Sequence, residues 1–171
     1  MPTHEPDDAQ RIFLDFYRGK IPNLNGVLFE TICHYTEDEL ELHHNFIQWL
    51  FPMTKRSQMT SEPIMLNETI IEAFLEDSHL QNQLVRALDL MLAHYGLKRD
   101  KERISKASDF DQKKRHLSGH NLARIDRILN SLRSLGKSSL AKALYDCLAT
   151  LNLGEEFAYS LKHYWRKSID V

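Results

Sequence analysis

The sequence predicts an all-α fold: a single-domain bundle of about seven helices around a central apolar helix. Three observations favour this class. Apolar residues recur at helical spacing along most of the 171-residue chain. All five prolines fall within the first 63 residues, so the rest of the chain permits long uninterrupted helices. No segment shows a clear alternation of apolar and polar residues, which is the pattern of a half-buried strand.

The boundaries of the predicted helices follow from capping residues and glycines. Thr36 and Glu39 form a capping box at the start of the second helix, and Pro52 stops that helix. Ser78 and Gln81 form another capping box at the start of the fourth helix. Glycines follow four of the apolar runs, where a helix commonly ends in a left-handed residue. The predicted helices cover residues 8–18, 36–51, 67–77, 78–95, 121–135, 140–151 and 157–165.

The helix predicted over residues 36–51 is apolar on two sides. One stripe contains Leu40 and Leu50, and the other contains Phe46 and Trp49. A helix that is apolar nearly all round is normally enclosed by other helices. We therefore expect this helix at the centre of the bundle, with Trp49 as a core anchor.

Charged residues are unevenly distributed along the chain. Residues 98–115 carry eight basic and few apolar side chains, so we expect an exposed or mobile connection there within a domain of residues 1–171. Residues 1–85 contain 14 acidic and 5 basic side chains, whereas residues 86–171 contain 10 acidic and 17 basic ones. The second half of the chain therefore carries the excess of positive charge.

Composition argues against several classes of protein. Two cysteines, Cys33 and Cys147, cannot form a disulfide framework, so we expect a reducing compartment. The polar N-terminus lacks the features of a signal peptide, and no stretch reaches the roughly 18 consecutive apolar residues of a membrane span. These observations predict a soluble, cytoplasmic protein without a transmembrane segment. No cofactor motif is evident, so we expect neither a cofactor nor a bound metal.

Five segments resemble, in the same order, the conserved domain of the opioid growth factor receptor family. The hallmark is ELELHHNFIQWLFP at residues 39–52, a histidine-bearing helix that leads into IQWLFP. The others are FYRGKIPNLNGV at residues 16–27, LVRALDLMLAHYGLK at 84–98, SGHNLARIDRILNSLRSLG at 118–136 and FAYSLKHYWR at 157–166. The chain is similar to that domain standing alone, as in short members of the family that include bacterial ones.

The resemblance implies a helical domain associated with the binding of enkephalin-type peptides. In animal members it also implies an intracellular location at the nuclear envelope and negative regulation of growth. For this chain we expect a binding or regulatory module rather than an enzyme, with a short peptide or a small anionic ligand as its partner.

The expected ligand-binding residues lie on the second and fifth predicted helices and line one shared pocket. Most are polar residues that a core alone does not need. Glu41 and His44 are expected to supply charge and hydrogen bonds, and Arg124 and Arg127 to anchor an anionic group such as a carboxylate. The full set is Glu41, His44, Asn45, Gln48, Trp49, His120, Asn121, Arg124 and Arg127.

Two alternatives remain open. Glu41 and His44 have the Glu-x-x-His spacing of helical metal sites, so with His120 they are candidates for an uncharacterised, metal-dependent enzyme. The other alternative is nucleic-acid binding through the basic face of the helix over residues 121–135. The whole-chain pI of about 6.5 disfavours nucleic acid as a partner.

Overall fold

The computed structural model describes residues 6–54 and 62–170 and confirms that the protein is predominantly helical. The chain forms two compact units, Met1–Ala87 and Leu88–Val171, which are described separately below. The assignment of residues 1–171 to one domain stays a prediction. Within the described ranges, no helix has both the length and the apolar character that a bilayer crossing requires.

Among its described residues, the first unit contains the start of six helices. A capping box formed by Asp7 and Gln10 starts the first of them, and the predicted capping box of Thr36 and Glu39 starts the third. The side chain of Asn67 caps the fifth helix through the backbone N–H of Ile70. The helices are α1 (Asp8–Tyr17), α2 (Phe29–Cys33), α3 (Glu37–Leu42), α4 (Phe46–Leu50), α5 (Glu68–Glu76) and α6 (Ser78–His94), the last of which ends in the second unit.

Aromatic side chains form the core of the first unit. The ring of Phe16 lies edge-on to that of Trp49, with 5.2 Å between centroids. Tyr17 contacts Phe29 and Phe74, in both cases with 4.9 Å between centroids. The buried Tyr17 hydroxyl donates a 2.9 Å hydrogen bond to the carbonyl of Leu50, and burial raises the pKa of Tyr17 well above its ordinary value. Trp49 is thus the core anchor that the sequence predicts.

The second predicted helix is not continuous, which corrects the prediction of a single rod over residues 36–51. His43 has an extended backbone, with φ −80° and ψ 136°, and separates α3 from α4. Histidine and asparagine are weaker helix formers than leucine, and the HHN sequence places three of these residues in succession. The break turns Leu42 out to solvent, where 74% of it is exposed, while every residue of α4 is buried.

The second unit combines helices with a β-hairpin that the sequence analysis did not predict. The hairpin occupies part of the segment expected to be an exposed or mobile connection, and it pairs Leu97 with Lys106 and Asp100 with Arg103. The elements of the second unit after α6 are β1 (Leu97–Asp100), β2 (Arg103–Lys106), α7 (Phe110–Lys113), a 3₁₀ turn (Lys114–His116), α8 (His120–Ser134), α9 (Ser138–Ala149), α10 (Glu155–Ser160), a π-helical turn (Leu161–Trp165) and α11 (Arg166–Ile169).

The hairpin is stabilised by one arginine rather than by an apolar stripe. Arg99 Nε and Nη2 donate to the two carboxylate oxygens of Asp89, at 2.8 and 2.9 Å, and Nη1 donates to the carbonyl of Lys101. Lys101 adopts φ +56° at the tip of the hairpin. Because most side chains of the two strands are exposed, the usual apolar alternation is missing from the sequence.

The π-helical turn changes which aromatic residue of the last helical segment is buried. Helical spacing alone places Tyr164 and Trp165 on the same apolar stripe of the helix predicted over residues 157–165. In the structure Trp165 is fully buried, whereas Tyr164 is exposed. A π turn holds one residue more than an α turn and therefore shifts the residues after it around the helix axis.

Candidate functional site

The first unit has an open groove of about 550 Å³ beside α2. One of its lining residues, Thr31, lies on α2, and Leu28 and Tyr35 flank the two ends of that helix. Carboxylates and an imidazole complete the lining. The full set is Leu28, Glu30, Thr31, His34, Tyr35 and Glu39.

The groove is joined to the segment that carries the family resemblance. Glu39 lies in the first turn of α3 and is the first residue of that segment. The Tyr35 ring packs edge-on against Phe46, with 5.8 Å between centroids, and lies 5.0 Å from the His43 ring. Partial burial and the nearby charge of Glu39 raise the pKa of Tyr35.

Two carboxylates line the groove, and the charge of one of them, Glu30, is balanced by an ion pair with Arg86. Glu30 accepts a 2.9 Å hydrogen bond from Arg86, and this bond is the main reason that the pKa of Glu30 is lowered. Glu39 Oε1 accepts the backbone N–H of Thr36 in the capping box, so its position is fixed by the helix start. An apolar wall beside fixed carboxylates suits a ligand with an apolar side chain and a cationic group.

In the first unit, the predicted binding residues differ in their burial. Gln48 and Trp49 are buried in α4, so they contribute to the packed interior. Glu41 is half-buried near the end of α3, whereas His44 and Asn45 are exposed in the break between α3 and α4. Because α3 ends at Leu42, Glu41 and His44 do not lie on one helix face, and the Glu-x-x-His geometry proposed for a metal-dependent enzyme is not formed.

In the second unit, the predicted residues lie on the first half of α8. His120 is exposed at the first helical residue, whereas Asn121, Arg124 and Arg127 are buried. The structure brings two of them together, since Asn121 Oδ1 accepts a hydrogen bond from Arg124 Nη1 at 3.4 Å. The same oxygen accepts the Tyr95 hydroxyl at 3.3 Å. These residues form a buried polar network in which side-chain positions are fixed.

The burial of Arg124 and Arg127 argues against nucleic-acid binding through α8. Arg124 is 6% exposed and Arg127 is 7% exposed. Phosphate contacts need cationic groups that a strand can reach from solvent. The face of α8 that carries these arginines is therefore not the exposed basic surface that the alternative assumed.

Two features of the structure, the groove and a pair of buried imidazoles, were not predicted from the sequence. In the sequence, the groove residues Leu28, Thr31 and Tyr35 have the spacing of one helical face, although of these three only Thr31 lies on α2. The other feature is a pair of buried imidazoles, His94 and His116, whose rings stack at 4.1 Å with 17° between their planes. No short-range pattern marks this pair, because 22 positions of sequence separate the two histidines.

A partly buried carboxylate on α8 contacts the last helix of the second unit. Asp126 on α8 accepts a hydrogen bond from the hydroxyl of Ser168 on α11. Asn130 Nδ2 donates to Ser168 Oγ at 3.0 Å. Burial raises the pKa of Asp126, and the hydrogen bond from Ser168 and the charge of Arg127 only partly oppose this rise.

We expect Asp126→Asn to raise the free energy of unfolding at neutral pH and to weaken its dependence on pH. A carboxyl whose pKa rises on folding contributes stability below its ordinary pKa of 3.8, and that contribution is lost as the pH rises through the folded-state pKa. An asparagine keeps the acceptor for Ser168 and has no such proton to lose. Urea unfolding at about pH 4 and about pH 7 measures both effects.

The control for this prediction is Asp146→Asn, which changes an exposed carboxylate on α9. It removes the same charge without removing a buried carboxylate. If Asp126→Asn and Asp146→Asn alter the pH dependence of stability equally, the burial of Asp126 is not the cause.

Comparison with known proteins supports the resemblance. The sequence profile described as "Opioid growth factor receptor (OGFr) conserved region" matches residues 6–164. The opioid growth factor receptor of Homo sapiens is 38% identical over 133 residues, which cover 72% of this chain and 19% of that protein. The opioid growth factor receptor-like protein 1 of Mus musculus is 33% identical over 139 residues, which cover 77% of this chain and 30% of that protein. No solved structure matches the chain at a significant level.

Proposed function

Because the chain belongs to the opioid growth factor receptor conserved-region family, we propose that it is a regulatory module that binds a short peptide. The match over residues 6–164 is the observation that carries the proposal. The matched part is about a fifth of the length of the human relative, so the activity of that whole protein is not assumed for this chain.

We place the peptide contact in the groove of the first unit. The groove combines apolar atoms of Leu28 and Tyr35 with the carboxylate of Glu39, and it borders the segment that distinguishes the family. A peptide with an aromatic or aliphatic side chain would use the apolar wall. Its N-terminal amine, or a basic side chain, would pair with the carboxylates at the groove.

The nine residues predicted from the sequence are the second candidate set for the peptide contact. Its members His44 and Asn45 are exposed in the first unit, so both can be changed without disturbing the core. The two candidate sets can be separated by experiment, because the lining of the groove includes none of the nine residues.

Isothermal titration of an enkephalin-type peptide into the full chain tests the proposal. We expect saturable binding, and we expect Thr31→Arg to weaken it at least about tenfold, the equivalent of about 1.4 kcal/mol. Thr31 is exposed within the groove, so a long cationic side chain there occupies the space and opposes a peptide cation. Circular dichroism of each variant measures whether the helices are retained.

Ser139→Arg is the matched control, because it adds the same side chain at an exposed position of α9. The double variant His44→Ala, Asn45→Ala examines the second candidate set. A loss of binding in the double variant, but not in Thr31→Arg, would move the contact to that set. The absence of heat and of a thermal shift at saturating peptide would refute peptide binding itself.

A further inference from the structure

The C-terminal helical segment of the second unit has an exposed aromatic cluster. Tyr159 is 55% exposed and Tyr164 is 54% exposed, and the centroids of their rings lie 5.8 Å apart. The ring of His163, which is also exposed, lies 4.2 Å from that of Tyr159. Large aromatic side chains in contact with one another on a surface are unusual enough to require an explanation.

The π-helical turn accounts for this cluster. In a π turn the hydrogen bonds run from residue i to residue i+5, so side chains four and five positions apart share one face. Tyr159, His163 and Tyr164 have these separations, and the turn occupies Leu161–Trp165. Insertions of this kind in α-helices are frequent at functional sites. The backbone distortion therefore both buries Trp165 and gathers the three exposed rings.

Exposed cations surround the same rings. Lys162, Arg166 and Lys167 are exposed, and none of them forms an ion pair with another residue in the described ranges. By contrast, Arg86 and Arg99 are paired with Glu30 and Asp89. The six residues Tyr159, Lys162, His163, Tyr164, Arg166 and Lys167 are called the aromatic–basic surface below.

Along the C-terminal segment itself, acidic residues lie only before and after these six residues. Glu155 and Glu156 lie in the first turn of α10, and Asp170 follows α11. Between Tyr159 and Lys167 the sequence contains no acidic residue. The surface therefore presents unpaired positive charge together with aromatic faces, on the half of the chain that carries the excess of basic side chains.

We propose that the aromatic–basic surface binds single-stranded nucleic acid. Proteins that bind single strands combine cations that follow the phosphates with aromatic rings on which bases stack. Tyr159 and Tyr164 would supply the rings, and Lys162, Arg166 and Lys167 would contact phosphates. The inference uses exposed residues of the second unit alone and does not depend on peptide binding by the first.

The surface fits a nucleic acid better than a membrane. A helix that lies in a membrane interface inserts a continuous apolar face into the lipid. Here the apolar residues Phe157 and Trp165 are already buried within the second unit, and their rings contact each other edge-on at 5.1 Å. The exposed side offers two tyrosines among cations, which provide stacking surfaces but no aliphatic face to insert.

Fluorescence anisotropy with labelled oligouridylate and oligodeoxyuridylate of about 12 nucleotides tests the proposal, because this length lies within the roughly 4–16 nucleotides that OB-fold domains cover. Three phosphate contacts to a single strand predict a slope of about −2 for log K against log salt, or about twentyfold weaker binding at 200 mM than at 50 mM salt. We expect Tyr159→Ala, Tyr164→Ala to weaken binding about tenfold or more. Preference for one of the two oligonucleotides distinguishes RNA from DNA as the partner, and binding of either supports the proposal.

Charge variants provide the second measurement. Arg166→Gln, Lys167→Gln should lower the magnitude of the salt slope by about 1.4. Lys98→Gln, Arg103→Gln is the matched control, because both cations are exposed and lie elsewhere in the same unit. All four tested side chains on the surface are exposed, so circular dichroism should show unchanged helix content.

Three results would overturn the proposal. One is the absence of binding to either oligonucleotide at low salt. Another is binding that the tyrosine variant and the charge variant leave unchanged. The last is binding of phosphatidylserine vesicles or polyglutamate, lost in the same variants, without binding of either oligonucleotide.

Discussion

Replacing Trp165 with alanine is expected to lower the free energy of unfolding by about 3–5 kcal/mol, the usual cost of truncating a buried tryptophan. Trp165 is fully buried and its ring lies edge-on to that of Phe157. Its indole Nε1 also donates a 3.0 Å hydrogen bond to the carbonyl of Leu122 on α8, so truncation removes a link between α8 and the π-helical turn. Denaturant unfolding followed by far-UV circular dichroism measures the loss.

The neighbouring residue provides a control that also tests the register of the π turn. Tyr164→Ala changes an aromatic residue that is largely exposed, so we expect stability to change by less than about 0.5 kcal/mol. In a regular α-helix the two residues would share the buried stripe, and both truncations would be costly. If Trp165→Ala prevents folding, Trp165→Phe retains most of the ring and isolates the hydrogen bond, which is typically worth about 0.5–1.5 kcal/mol. Comparable losses for Tyr164→Ala and Trp165→Ala would contradict the π turn.

The helices with regular apolar spacing could be predicted from the sequence. The helix predicted over residues 121–135 is observed as α8, His120–Ser134, because apolar residues recur every three or four positions along its length. The capping box of Thr36 and Glu39 is also formed as predicted. In these segments local hydrogen bonding and amphipathic spacing favour the same structure, so short-range information is sufficient.

The parts of the structure that helical periodicity does not predict depend on contacts between residues of different elements. Helical spacing alone places Leu75 and Tyr164 on the apolar stripes of their helices, but both are exposed. Neither departure has a local sequence signal. The hairpin after Gly96 depends on the ion pair between Arg99 and Asp89, which lie on different elements. A π turn or a salt-bridged hairpin is selected by its surroundings, which helical periodicity does not describe.

In the candidate sites, too, some features depend on contacts in the fold that the sequence does not show. Arg124 and Arg127 were expected to anchor an anionic ligand because a core alone does not need cationic side chains. In the structure both are nearly enclosed, and Asn121 bonds to Arg124 and to Tyr95. The buried state of an arginine depends on its partners in the fold, so residue type alone cannot predict it. The aromatic–basic surface is likewise hidden from the sequence, because it forms only when the π turn brings its rings together.

Replacing Gly96 with alanine is expected to lower the free energy of unfolding by about 2–5 kcal/mol. Gly96 follows α6 and has φ +76°, a left-handed conformation that costs a residue with a Cβ about 1–2 kcal/mol. The added Cβ would also lie 2.8 Å from the Cα of Phe110 and 2.8 Å from the Cβ of Lys113, both on α7. Overpacking of this kind costs about 1–3 kcal/mol more, because a backbone atom of α7 would have to move.

Gly19→Ala separates the two contributions. Gly19 also follows a helix and has φ +82°, but a Cβ at that position would meet no atom within 4 Å. It should therefore show only the conformational cost of about 1–2 kcal/mol, and the difference between the two variants measures the close approach of α7 to Gly96. Ala107 donates its N–H to the Gly96 carbonyl at 2.8 Å, so movement of α7 would also strain the base of the hairpin. Equal losses of stability for Gly19→Ala and Gly96→Ala, measured by denaturant unfolding, would show that α7 does not pack directly on Gly96.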